Sequence, residues 1–206
     1  MAAMETKQGL PVIVFETAQD CREWFARNHL SSAGFWLKIG KKGNPAPSVS
    51  YAEAVDEALC YGWIDSQKAA FDGHWSLQRF TPRTKKSPWS QINREKVARL
   101  IAEGRMTTAG LAAIDSARAD GRWERAYSSQ SRAEVPPDLQ LALDENPDAA
   151  EFFATLTASI RYAVLYRIQD AKRPETRARR IAESVERLAR REPPRMWQAS
   201  PPNTGA

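Results

Sequence analysis

Residues 60–81 read CYGWIDSQKAAFDGHWSLQRFT, and how this stretch folds decides the architecture of everything before Arg99. Cys60 and Tyr61 complete the last turn of a helix. Gly62 is the residue that can take the left-handed cap conformation at little cost. Trp63 and Ile64 then open a strand. Asp72-Gly73 is a strong signal for a two-residue hairpin turn, so IDSQKAAF is expected to pair with HWSLQRFT. In the expected register Ser66 faces Arg79, Gln67 faces Gln78, Lys68 faces Leu77 and Ala70 faces Trp75. One face of the hairpin then carries Asp65, Gln67, His74, Gln78 and Phe80. The other carries Ser66, Lys68, Trp75, Leu77 and Arg79. A slip of one residue would exchange the two sets, because side chains alternate with a period of two.

Upstream, PVIVFET reads as a short buried strand. Thr17 and Asp20 have the spacing of a capping box, for a helix with Cys21, Trp24, Phe25 and Asn28 on one face. GFWLKIGKK alternates Phe35, Leu37 and Ile39 against Trp36 and Lys38, the pattern of a half-buried strand. Ser50 and Glu53 repeat the capping box ahead of a helix with Val55, Ala58 and Leu59 inside. Downstream, Ser90 or Asn93 caps a helix burying Val97, Leu100 and Ile101, with Gly104 ending it. A further helix runs from about Thr108 to Ala119, with Leu111 and Ile114 inward. SSQSRAEVPP is the best linker. Beyond it the chain reads as helical throughout: a short segment over 138–144, a helix capped by Asn146 with Pro147 at its first position, one from Ser159 to Lys172 with Ile160, Ala163, Val164 and Ile168 on one face, and a last one opened by Pro174. The last helix has the inner stripe Ala178, Ile181, Ala182, Val185, Leu188 and Ala189. The expected fold class is therefore α+β: a small antiparallel sheet flanked by helices, followed by a C-terminal helical bundle. The expected boundaries are 10–127 for the α+β region, 135–191 for the helical module and 192–206 for a disordered tail.

The chain's 206 residues, 42% hydrophobic and 27% charged, suit a soluble globular protein with a real core. No apolar run approaches the length of a membrane span. MAAMETKQGLPVIVF lacks the basic start, long apolar centre and cleavage site of a signal peptide, so a cytoplasmic protein is expected. Cys21 and Cys60 fall in apolar helix stripes, which fits buried reduced thiols. The net charge of +5 is unevenly spread. From Arg79 to Arg99 there are seven basic residues against the single acid Glu95. A second basic cluster, from Arg167 to Arg195, is diluted by glutamates on a helix and reads as a solvated face.

Two histidines and two scattered cysteines do not make an ordinary zinc site, and no dinucleotide, phosphate-loop or nucleophile-elbow motif is present. No cofactor is expected. Cys60 near Asp65 and His74 has the residue types of a thiol nucleophile, but it continues an apolar helix face, and core packing is the plainer meaning. Asp65, Gln67 and Gln78 could line a polar pocket. The main functional candidate is RFTPRTKKSPWSQIN, with Arg79, Arg83, Lys85, Lys86, Trp89 and Asn93 as ligand-binding residues. Guanidinium and ammonium groups beside an indole and a helix N-terminus suit a phosphate or carboxylate. Basic residues interleaved with aromatics suit single-stranded nucleic acid. The partners considered are an anionic small molecule, a protein or a nucleic acid.

The segments YAEAVDEALCYGWIDSQK, LQRFTPRTKKSPWSQIN and EGRMTTAGLAAID, followed by VPPDLQLALDENPDAAEFFATL and IQDAKRPETRARRI, resemble the YdeI/OmpD-associated family, also labelled bacteriocin-protection proteins, over about residues 10–191. The resemblance implies a role in stress tolerance or resistance to cationic antimicrobial peptides. It brings no established reaction and no catalytic residues. A basic surface would repel cationic peptides rather than capture them. The expected function is a non-enzymatic binding protein with an anionic ligand at the basic and aromatic strip. Nucleic-acid binding through the same strip is the first alternative, and an enzyme with a cleft near Cys60 and Asp65 the second.

Overall fold

The computed structural model describes residues 5–192, and its contacts divide the chain between Ala126 and Tyr127. The first unit holds strands β1 (Thr6–Lys7) and β2 (Leu10–Ile13), helix α1 (Ala18–Asn28), strand β3 (Phe35–Gly40), helix α2 (Tyr51–Cys60), strands β4 (Trp63–Ala70) and β5 (Trp75–Pro82), and helices α3 (Gln91–Ala102) and α4 (Thr108–Ala119). The second holds α5 (Pro137–Asp144), α6 (Pro147–Thr155), α7 (Ala158–Gln169) and α8 (Pro174–Ala189). Apart from Glu192, the segment expected to be a disordered tail lies outside the described residues.

The five strands are ordered β1-β2-β3-β5-β4. The expected α+β class is present, but the sheet is mixed rather than wholly antiparallel. Strands β2 and β3 run parallel, with Val12 opposite Trp36 and Ile13 opposite Leu37. The cause is α1, which carries the chain back to the end at which β2 began, and such a crossover yields a parallel neighbour.

The hairpin forms at Asp72-Gly73 with a register that changes along its length. Near α2 the expected pairing holds, with Trp63 opposite Pro82 and Asp65 opposite Phe80. Between Asp65 and Lys68 a bulge intervenes, and beyond it Lys68 faces Gln78, Ala69 faces Leu77 and Ala70 faces Ser76. One extra residue in β4 moves every later side chain to the other face. Lys68 therefore joins Gln78 and Phe80, and Gln67 leaves them for the face of Arg79, the reverse of the expected sets.

One sheet face is the helix-covered core. Phe35, Leu37, Trp63 and Phe80 pack there against Cys21, Phe25, Val55, Leu59, Val97, Leu100 and Ile114. Both capping boxes form, Thr17 with Asp20 and Ser50 with Glu53, and Ser90 rather than Asn93 caps α3. The turn from α2 into β4 is fixed by two glycines. Gly62 has φ +74°, and a Cβ on it would come within 2.9 Å of the Ala109 carbonyl oxygen. A Cβ on Gly110 would stand only 2.3 Å from the Cys60 carbonyl oxygen, so α4 can lie against the end of α2 only with glycine there. Thr107 completes the joint, donating to that same oxygen from its hydroxyl at 2.7 Å and its backbone N–H at 3.1 Å. Ile101 and Leu111, expected inside, are exposed at 45% and 41%. Their helices turn Val97, Leu100 and Ile114 to the core instead.

The other sheet face differs from the expected half-buried strand. Trp36 is 1% exposed and forms a small cluster with Leu10 and Leu77, edged by Val12, Ala69 and Phe71. All its members come from the strands or the hairpin turn. In the second unit, Leu139, Leu143, Phe153, Val164, Ile168, Ile181, Val185 and Leu188 form a separate core. Asn146 caps α6 with Pro147 behind it. Helix α8 is rotated from the expected stripe: Ile181, Ser184, Val185 and Leu188 are buried, whereas Ala178 and Ala182 are exposed.

Candidate functional site

The structure separates the residues expected to form one basic strip. Arg83 and Trp89 are committed to packing. The Arg83 guanidinium lies 3.7 Å from the Trp89 ring centroid and donates to the Pro88 carbonyl at 2.9 Å. Trp89 is 2% exposed and meets Trp123 edge-on at 4.9 Å. Lys85 and Lys86 stand exposed in a turn closed by Thr84 and Ser87. Arg122 braces that turn by donating to the Ser87 carbonyl at 3.1 Å and is itself paired with Asp120. The Asn93 backbone N–H donates to the Ser90 cap. Beside this loop, Arg94 and Arg118 lie about 5 Å from the Trp123 ring, and Gln91, Arg94, Glu95, Ala98 and Trp123 line an open groove.

Arg79 is elsewhere. It lies opposite Trp36 on the strand-only face. Its Nε is buried without an acceptor, and so is Trp36 Nε1. Two more cations share this face. Lys7 Nζ is 5.5 Å from the Trp36 ring centroid, and Lys38 Nζ is 4.1 Å from Phe71 and 5.1 Å from Trp75. Reading across the face from β1 to β4 gives Lys7, then Leu10 and Val12, then Trp36 and Lys38, then Trp75, Leu77 and Arg79, and finally Ser66, Gln67 and Ala69. None of these is an acid. The unpartnered donors lie among cations, with no carboxylate among the strand residues of this face.

The polar pocket expected from Asp65, Gln67 and Gln78 is also divided. Asp65 and Gln78 remain on the helix-covered face, while the bulge removes Gln67. The Tyr51 hydroxyl donates to Asp65 at 2.7 Å, and Lys68 Nζ lies 5.6 Å from the Tyr51 ring. Gln78 is 2% exposed, with both amide atoms lacking a protein partner; a buried water would satisfy such a group.

The thiols do not form a reactive centre. Cys21 and Cys60 are free and fully buried. Burial, and then the Glu57 carboxylate, push the Cys60 thiol up to about 11 and the Cys21 thiol higher still. That withholds the thiolate which cysteine nucleophiles need. Glu57, 3% exposed, is held by Arg105 at 2.5 Å with Arg22 at 3.8 Å. His74 is at the hairpin tip, and the His29 ring is engaged by the Phe25 carbonyl at 2.8 Å.

Sequence reading missed that Trp36, Lys7 and Lys38 share a sheet face with Arg79. The signal was present in the alternation of Trp36 and Lys38 against the set Trp75, Leu77 and Arg79, but finding it required knowing that β3 lies beside β5. No helix among the described residues is long and apolar enough to cross a membrane, and no group of metal-ligating side chains is found among them.

Comparison with known families divides the chain similarly. Residues 13–113 match a domain of unknown function (DUF8412). No curated protein and no solved structure gives a significant match. The resemblance read over residues 10–191 is matched in the C-terminal part alone: residues 132–191, which hold the four helices α5–α8, match the family described as bacteriocin-protection, YdeI or OmpD-associated.

Proposed function

We propose that the protein is a non-enzymatic binding protein that holds an anionic ligand on the strand-only sheet face, around Arg79, Trp36, Lys7 and Lys38. The observation that carries this reading is the pair of buried, unpartnered donors on Trp36 and Arg79. A buried donor without an acceptor costs on the order of 1–3 kcal/mol, and an oxyanion relieves that cost at both groups. Lys85 and Lys86 supply further positive potential that would steer an anion toward the unit. The family match supports a link to stress or antimicrobial-peptide resistance, and we place its action in the cytoplasm. The basic surface favours an indirect role over capture of cationic peptides.

Thermal unfolding with and without millimolar pyrophosphate tests the site. A ligand that binds only the folded state raises the midpoint. The expected result is a rise in the parent protein that disappears in Arg79→Met and persists in Lys85→Ala/Lys86→Ala. An equal rise in Arg79→Met, or no rise in the parent, overturns the assignment.

A further inference from the structure

We propose that the ligand of this sheet face is single-stranded nucleic acid, its bases stacked on Phe71 and Trp75 and its phosphates held by Lys38 and by the donors of Arg79 and Trp36. The inference rests on the anion-binding reading above and deepens it.

Three features narrow the oxyanion to a polynucleotide. First, cations and rings alternate. Lys7 lies over Trp36, and Lys38 stands between Phe71 and Trp75. Positive side chains interleaved with aromatic platforms match a strand that presents phosphate and base in turn. Second, the face is extended. Trp75 and Arg79 are four residues apart on β5, about 13 Å at the rise of a strand. That separates a ring platform from the buried donors by more than one small anion would bridge. Third, the bulge in β4 turns Gln67 toward this face beside Ser66, and both are exposed. Their amide and hydroxyl lie opposite Arg79, where they add neutral polar groups beside the phosphate contacts. Bulges commonly re-aim a side chain next to a functional site. Phe71 and Trp75 are half-buried, so each keeps part of its ring open to solvent. Such a ring stacks on a base free of a duplex, since paired bases are already stacked on their neighbours.

The test uses the full chain and a labelled deoxythymidine 12-mer, followed by fluorescence anisotropy over a range of salt. The expected result is binding that weakens with salt, with a log–log slope of about −2 for roughly three neutralised phosphates. Trp75→Ala and Phe71→Ala each weaken it by about tenfold, the lower part of the range for a lost stacking platform. Trp75→Phe retains most of the affinity, which separates loss of the ring from loss of the fold. The midpoint rise with pyrophosphate remains in Trp75→Ala and is lost in Arg79→Met. If pyrophosphate behaves as stated but the 12-mer does not bind, the nucleic-acid inference falls and the anion site stands. Should neither bind, both fall. Equal affinity for the duplex form overturns the single-strand assignment. Binding that survives both ring substitutions but is lost in Lys85→Ala/Lys86→Ala overturns the location.

Discussion

Trp36 and Arg79 lie directly opposite each other across the antiparallel pairing of β3 and β5, and each keeps a buried nitrogen donor without an acceptor. No carboxylate among the described residues pairs with Arg79. Such a charge is retained against the interest of stability, as at many functional sites. Arg79→Met keeps most of the apolar stem that covers the sheet and removes the unsatisfied charge. The expected outcome in denaturant unfolding is a protein as stable as its parent, or more stable by up to about 1 kcal/mol. A loss of more than about 1 kcal/mol would assign Arg79 a structural task and weaken the case for a ligand.

The joint between α2 and α4 leaves no room for a side chain at Gly110. Gly110→Ala places a methyl group 2.3 Å from the Cys60 carbonyl oxygen and 2.7 Å from the Met106 terminal methyl. Met106 can move aside, but the carbonyl is also the acceptor of both Thr107 bonds. The expected cost is about 3 kcal/mol, at the upper end for overpacking. Gly104→Ala is the control. Its φ is +66° with open space around it, so only the left-handed backbone penalty of about 1–2 kcal/mol applies. Equal costs from the two substitutions in chemical denaturation would contradict this account of the joint.

Burial also makes a prediction about the cysteines. With Cys60 fully covered and its thiol raised to about 11, a disulfide reagent at pH 8 should find neither thiol in the folded protein. Both should react completely in denaturant. Reaction of Cys60 in the folded state, at a rate well above global unfolding, would revive the reading of a thiol nucleophile.

What the sequence disclosed depended on whether the signal was local. Thr17, Ser50, Asn146 and Gly62 act on residues three or four away, and each does what its spacing implies. The hairpin turn was equally legible. The bulge between Asp65 and Lys68 was not, because an extra residue in one strand is set by packing on both faces rather than by a turn signal. That single residue decides which neighbours Gln67 and Lys68 have. The basic strip failed as one surface for a related reason. Strand β5 ends at Pro82, and Arg83 and Trp89 lie in the loop that leads to α3, so Arg79 is separated from them although only a few residues intervene. The cluster of Trp36 with Arg79 joins residues more than forty apart and appears only when β3 is laid against β5.

In the helical unit, Arg177 of α8 grips Asp138 of α5 through two hydrogen bonds, at 2.6 and 2.8 Å. Asp138 also lies in the first turn of its helix, where a negative charge is favoured by the helix dipole. The Arg177 hydrogen bond, opposed by partial burial, holds the Asp138 carboxyl below its ordinary value. A carboxyl depressed in the folded state binds its proton more readily when unfolded, so stability rises with pH through this range. The contribution is complete above the unfolded value of about 3.9 and is lost as the pH falls through the lower folded value. Both side chains retain solvent contact, at 29% for Arg177 and 45% for Asp138, so screening limits the pair to about 1 kcal/mol or less. Asp138→Asn should therefore lower the stability of the unit by about that amount at pH 7. As the pH falls below the folded value the two proteins should converge, giving the variant a shallower acid limb in a series of urea unfolding curves. A difference that stays constant from pH 7 to pH 2.5 would show that Asp138 acts through packing or capping and not through its charge.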